Sequence, residues 1–255
     1  MKRLLALMLC ALSLGASAQV TYPYNPDSDN NGSLGLSDLL DFLALYGQPL
    51  EIQEHICGMP IEYHGVIYNT TLIGSQCWFA ENLATSEFRT GEEIPLGLSN
   101  SSWTDAANNQ LAARCYPTQN DGYENIESLG FLYNWFAVSD TQNLCPVGWN
   151  VPTSGQFGIL KARAGGIEYS AMALKDDDWG FNSCGFAGRQ GSTRNYSGTY
   201  AGETGFWSRS IGSSQFTNTY MSKYMRLPPG SVQQVLIEEQ NNGLGMYVRC
   251  IKDSE

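Results

Sequence analysis

Apolar positions fall into three textures along the chain. Leu4 to Leu14 is an almost unbroken apolar run, too short to span a bilayer. Leu39, Leu40, Phe42, Leu43 and Tyr46 then recur at helical spacing, which predicts a short helix that Gly47 can cap and Pro49 stops. From Cys57 onward, strand-like stretches such as IEYHGVIYNTTLIG, GFLYNWFAV and GMYVRCIKD alternate with loops rich in Gly, Ser and Asn. Within that region one stretch reads as helix, Gln156 to Ala164. Thr153 or Ser154 can cap it after Pro152, Phe157 and Leu160 face inward, and Gly165-Gly166 ends it. Frequent turn signals and little helical periodicity predict an α+β domain with long loops, neither a helical bundle nor a doubly wound sheet.

Lys2 and Arg3 precede the first apolar run and Ala16-Ser17-Ala18 follows it. Charge, apolar run and small residues in that order read as a secretory leader cleaved before Gln19. The expected organisation is a leader over 1–18, a loop and helix over 19–47, a polar linker over 48–56 and a large domain over 57–253. The mature protein is expected to be secreted or on the cell surface. No later stretch approaches eighteen consecutive apolar residues, so no membrane span is expected. Losing Lys2 and Arg3 takes the formal net charge from −11 to −13. Such an acidic chain repels nucleic acid, which excludes it as a partner. Cys57, Cys77, Cys115, Cys145, Cys184 and Cys250 remain after the leader. An even count in an exported chain reads as disulfides, with fifteen possible pairings. With no CxxC pair and two His, a zinc cluster is disfavoured.

The segment from Asp27 reads DSDNNGSLGLSD. Asp27, Asp29 and Asn31 take positions one, three and five of a calcium loop, and Gly32 takes the sharp turn at six. Ser33 offers its carbonyl at seven, Leu34 is the apolar anchor at eight, and Asp38 closes the set at twelve. Asp at position twelve, followed by a helix, resembles the loop of dockerin modules. A full dockerin carries two such repeats and one is found here, which weighs against cohesin binding. Calcium is the expected cofactor, held by Asp27, Asp29, Asn31, Ser33 and Asp38.

Four blocks of the large region occur in a recognisable order: IGSQCWFAENL (Ile73 to Leu83), FLYNWFAV (Phe131 to Val138), LCPVGWNVPT (Leu144 to Thr153) and YVRCIKD (Tyr247 to Asp253). Together they resemble the Fibrobacter succinogenes major paralogous domain. That family is similar to the formylglycine-generating-enzyme branch of the C-type-lectin-like fold, sharing a Trp-x-Val-Pro-Thr turn that opens a helix, here Trp149 to Thr153. The resemblance implies an irregular mixed sheet with two helices and long ordered loops. It also implies a Cys145–Cys250 disulfide; Cys57–Cys77 is the next expected pair, leaving Cys115 with Cys184. Trp78 and Leu83 are expected in the core, with Glu81 and Asn82 tying down loops, and Tyr133 to Phe136 likewise. Trp103, Trp179 and Trp207 lie in loop-like surroundings and are the candidates for an exposed stacking surface.

Enzyme chemistry finds little to work with. Ser–His–Asp catalysis needs a positioned His, and His55 and His64 lie in a linker and a Gly turn without GxSxG. The two closely spaced redox cysteines of formylglycine-generating enzymes have no counterpart: Cys184 stands alone and Cys250 sits in the final strand. Phosphate loops and dinucleotide fingerprints are absent. A glycosidase pair among Glu81, Glu92, Glu93 and Asp105 is open, but nothing singles one out. The run Asp176-Asp177-Asp178 reads as a solvated loop or a second calcium site. The expected function is therefore a non-catalytic exported module that binds an extracellular carbohydrate or protein. The alternatives are a cell-surface scaffold docked through its calcium loop and a hydrolase with an unrecognised carboxylate pair.

Overall fold

In this computed structural model residues 20–21, 26–27, 32–45, 50–51, 55–118, 126–213 and 221–253 are described. The expected leader and its expected cleavage site lie outside them, as do Asp29 and Asn31 of the candidate calcium loop. The chain divides into two units, Met1–His55 and Ile56–Glu255.

In the first unit β1 (Val20–Thr21) pairs in parallel with β2 (Leu50–Glu51), and α1 (Leu36–Leu45) lies between them in sequence. Strand β2 falls within the stretch read above as linker. The helix starts at a carboxylate that reaches back: Asp38 Oδ2 accepts from the Gly35 N–H at 2.7 Å. An acid in the first turn also faces the positive end of the helix dipole.

The second unit begins with two hairpins, β3 (Ile61–Tyr63) to β4 (Val66–Tyr68) and β5 (Thr70–Ile73) to β6 (Gln76–Phe79). His64 and Gly65 both adopt positive φ, which closes a two-residue turn whose twist matches the strands. Helix α2 (Asn100–Asn108), β7 (Arg114–Cys115), α3 (Ile126–Leu129), β8 (Leu132–Tyr133) and α4 (Trp135–Val138) follow. Strand β9 (Trp149–Asn150) leads into two consecutive helices, α5 (Ser154–Arg163) and α6 (Gly166–Leu174). Strands β10 (Thr193–Arg194) and β11 (Tyr200–Ala201) form a small hairpin. Then β12 (Thr204–Ile211), β13 (Met221–Leu227) and β14 (Leu236–Asn241) make an antiparallel three-stranded sheet. The last strand, β15 (Ile251–Lys252), inserts between β6 and β9, opposite Trp78 and Asn150. The class is α+β, with small, mostly antiparallel sheets.

Alternation along the strands sends neighbouring side chains into two separate cores. Phe79, Tyr133, Trp207, Val248 and Cys250 enter one; their neighbours Trp78, Leu132, Phe206, Tyr247 and Ile251 enter the other. Both faces of these strands are covered, so the sequence reads as apolar runs rather than a clean in–out pattern.

Helix α5 is capped by Thr153, whose hydroxyl accepts from the Gln156 N–H while the Gln156 side chain returns to the Thr153 N–H. Phe157 and Leu160 face inward and are fully buried. Four further helices among the described residues, α2, α3, α4 and α6, correct the expectation of one local helix, and α4 falls within the stretch GFLYNWFAV read above as strand-like. Helix α2 is polar apart from Trp103, Ala106 and Ala107, and buries only Trp103 and Ala107, four residues apart. It is held by a Ser99/Ser102 capping box instead of an apolar stripe. Helix α6 starts directly at Gly165-Gly166, where the left-handed Gly165 ends one helix and admits the next.

Candidate functional site

The sequence blocks turn out to be structural anchors. Trp78 and Leu83 are fully buried, and Trp78 stacks on Phe157 with ring centroids 5.6 Å apart. Glu81 grips Asn69 twice, accepting from its backbone N–H and its side-chain amide at 2.8 Å each. Asn82 donates to the Leu129 carbonyl at 2.8 Å and accepts from Arg249 Nε at 3.2 Å and from a second guanidinium nitrogen. Arg249 is 1 % exposed, with its guanidinium 4.0 Å from the centroid of Phe186 and 5.2 Å from that of Phe206. The Phe186 carbonyl accepts a further bond. Burial pulls the Arg249 guanidinium down to about 9, with Glu81 opposing, so it stays charged at neutral pH. The first and last blocks are thus clamped together through a buried cation held by a neutral amide and two rings. In the second block Tyr133 donates to the Thr85 carbonyl at 2.7 Å, and Asn134 accepts from the Ala113 and Ala137 N–H groups at 3.0 and 3.1 Å.

The tryptophans divide sharply. Trp103 and Trp207 are fully buried, which removes both from the expected stacking surface. Trp103 lies under Arg194 as well as inside α2, and Trp207 lies on β12 with its Nε1 donating to the Tyr133 carbonyl at 2.9 Å. Trp179 is 57 % exposed and its near neighbour Phe181 is 63 % exposed. Their loop is braced along its length. The Trp179 N–H donates to Asp177 Oδ1 at 2.8 Å, Phe181 N–H to Met172 O at 2.7 Å, and Asn182 N–H to Lys175 O at 2.9 Å. Asp176 N–H reaches Gly188 O at 2.9 Å, and the Asn182 side chain accepts from Ala187 N–H at 2.8 Å. A methyl group at Gly180 would stand 2.4 Å from the Lys175 Cβ and carbonyl, so only glycine lets the loop turn back there. Lys175 itself is buried, donating to Gly230 O at 2.6 Å, and burial lowers its pKa against the opposing charge of Asp177. Asp176 pairs with Arg189 at 3.4 Å, and Asp178 is exposed. Two large aromatic side chains are thus held outward by a fastened backbone.

The Fibrobacter succinogenes major domain matches residues 72–252. The chain belongs to that family. No curated protein and no solved structure matches it. The Fibrobacter succinogenes major domain here holds the Asn82–Arg249 clamp, most of both cores and the Trp179 loop; Tyr63 and Tyr68 of one core precede the matched residues, as does the candidate calcium loop.

One disulfide ties the middle of the domain to its last strand, and another closes its N-terminal hairpins. Cys145–Cys250 closes a separation of 105 residues, and Cys57–Cys77 closes 20. Cys115 and Cys184 are free, which corrects the third expected pair. Cys115 is buried on β7, where burial pushes its thiol up to about 11 against the charge of Arg194. Cys184 is half-buried in the braced loop, its carbonyl accepting from Thr71 Oγ1 at 2.9 Å.

Of the candidate calcium ligands, Asp27, Ser33 and Asp38 are described. Asp27 Oδ2 accepts from the Gly32 N–H at 2.8 Å across a left-handed Gly32, and Asp38 is buried. This backbone wrap suits a calcium loop's first and sixth positions. Among the described residues no three His, Cys, Asp or Glu side chains converge on one point. The candidate carboxylates of the large domain have separate engagements: Glu81 with Asn69, Glu93 with Arg114 at 3.3 Å, and Glu92 in solvent. Asp105 uses its carbonyl to cap α2.

Proposed function

We propose that this protein is an exported, non-catalytic binding module that presents Trp179 and Phe181 to an extracellular carbohydrate or protein. The observation that carries the reading is the exposure of Trp179 on a braced loop, while Trp78, Trp103, Trp149 and Trp207 are buried. Exposing an indole is unfavourable in water, so a fold that fastens the backbone beneath it points to a surface that a ligand covers. A preordered aromatic also loses little entropy when it binds. The proposed fold is C-type-lectin-like; the helix opened by Trp149 to Thr153 and the Cys145–Cys250 link to the last strand support it. Calcium is proposed as a structural cofactor, bound by Asp27, Asp29, Asn31, Ser33 and Asp38.

A second reading, a scaffold docked through the calcium loop, draws on α1. Leu36, Leu39, Leu40, Phe42 and Leu43 of that helix are 47 to 72 % exposed. Retention on isolated cell envelope separates the two. The binding module predicts that Trp179→Ala releases the protein while an Asp27→Ala/Asp29→Ala variant stays bound. The scaffold predicts the reverse, and no retention of the unaltered chain contradicts both.

A further inference from the structure

Gly205 on β12 pairs with Arg226 on β13. Beside this pair the sheet keeps a cleft of about 80 Å³, lined by Glu203, Gly205, Tyr224, Arg226, Gln240 and Met246 among others. That exceeds the roughly 10–15 Å³ one water needs and falls well below the ~300 Å³ of a pocket that encloses a drug-sized ligand. The cleft therefore admits one edge of a small ring. A methyl group at 205 would stand 2.8 Å from Met246 Sδ and 3.2 Å from the Tyr224 ring, so glycine lets these two lining side chains close down on the strand.

The polar lining is matched in sign. Arg226 donates to Glu203 Oε1 at 2.9 Å, and both side chains are partly exposed. The Arg226 Nε–H is buried and has no hydrogen-bond partner among the described residues. Leaving such a donor unpaired is unfavourable, so an entering acceptor gains by meeting it. The Tyr224 hydroxyl donates to Glu238 Oε2 at 2.8 Å. An anionic ligand entering here meets Glu203, and a cationic one meets Arg226. A neutral ligand with adjacent hydroxyls satisfies both, one oxygen accepting from Arg226 and the next hydroxyl donating to Glu203. Met246 and the bare Gly205 backbone supply a floor for the C–H edge.

We infer that this cleft is a subsite for one neutral polyhydroxylated ring, the edge of a single sugar residue. It stands on residues separate from the Trp179 platform. The test titrates the full chain, by saturation-transfer NMR, with the methyl glycosides of glucose, galactose and N-acetylglucosamine, and with glucuronate and glucosamine as charged counterparts. At least one neutral glycoside should bind, with the charged counterparts about tenfold weaker or more. In the Trp179→Ala background, which removes the platform's own contribution, Glu203→Gln, on an exposed side chain, and Gly205→Ala, which displaces Met246 or Tyr224, should each weaken binding about tenfold. Circular dichroism confirms folding of each variant; if Gly205→Ala fails to fold, Glu203→Gln decides. No neutral glycoside bound at ~10 mM, tighter binding of a charged counterpart, or binding indifferent to Glu203→Gln overturns the inference.

Discussion

Replacing Asn82 by leucine should unfold this domain more readily than its modest size change suggests. Asn82 Oδ1 accepts from two guanidinium nitrogens of Arg249, and Arg249 is 1 % exposed with the Phe186 carbonyl as its other acceptor. Leucine removes the acceptor and leaves the cation in place. Stranding one member of a buried polar pair costs about 3–5 kcal/mol. The lost bond to the Leu129 carbonyl adds about 1 kcal/mol. Arg249→Met removes the charge, keeps apolar contact with Phe186 and Phe206, and should cost less. Combining the two removes both the donor and the acceptor. The double variant should then recover about 2 kcal/mol relative to the sum of the single losses. Urea unfolding followed by tryptophan fluorescence measures all four corners of the cycle. A loss below about 1 kcal/mol for Asn82→Leu, or simple additivity with Arg249→Met, would refute the clamp.

Other consequences can be checked with standard measurements. Replacing Cys145 and Cys250 by alanine should destabilise more than replacing Cys57 and Cys77, about 4.7 against about 3.3 kcal/mol from loop closure over 105 and 20 residues, read by denaturant midpoints. In the folded protein iodoacetamide should modify Cys184 well before Cys115, whose thiol is buried and pushed up to about 11; peptide mass mapping reads the order. Burial pushes Tyr247 up to about 12, so the unfolded chain loses this proton first as pH rises. Stability therefore falls between roughly pH 10 and 12, and absorbance at alkaline pH should show Tyr247 ionising only near unfolding. Calcium at a hundred times its Kd should stabilise the N-terminal unit by about 2.7 kcal/mol, seen as slower proteolysis near α1 than in chelator.

Much of the fold was legible because its strongest signals are local. The Thr153 cap and the Gly165-Gly166 stop bound α5 within two residues at its start and one at its end. The four ordered blocks located the anchors, and Glu81 and Asn82 do tie loops together as expected. Helix α2 was missed because its signal is a Ser99/Ser102 capping box and one Trp–Ala pair, with almost no apolar period. The same polar surroundings made Trp103 look exposed. Trp207 misled for another reason: Phe206 and Trp207 point to opposite faces that are both covered, which a run of residues cannot show. Nor could it show that Arg194 and Arg249 are buried, since the Gly97 carbonyl that Arg194 reaches, and the Asn82 side chain and Phe186 carbonyl that Arg249 reaches, are distant in sequence. The Cys115–Cys184 expectation rested on elimination, and Cys115 instead sits buried on β7 beside Arg194.

Glycan-array binding of the full chain and its Trp179→Ala variant, in calcium and in chelator, tests the proposed role most directly. The account predicts a defined set of glycans bound by the unaltered chain and weakened about thirtyfold in Trp179→Ala, the loss of a central aromatic contact of about 2 kcal/mol. Glycans bound equally well by both proteins, or none bound by either, would contradict a carbohydrate-binding platform at Trp179.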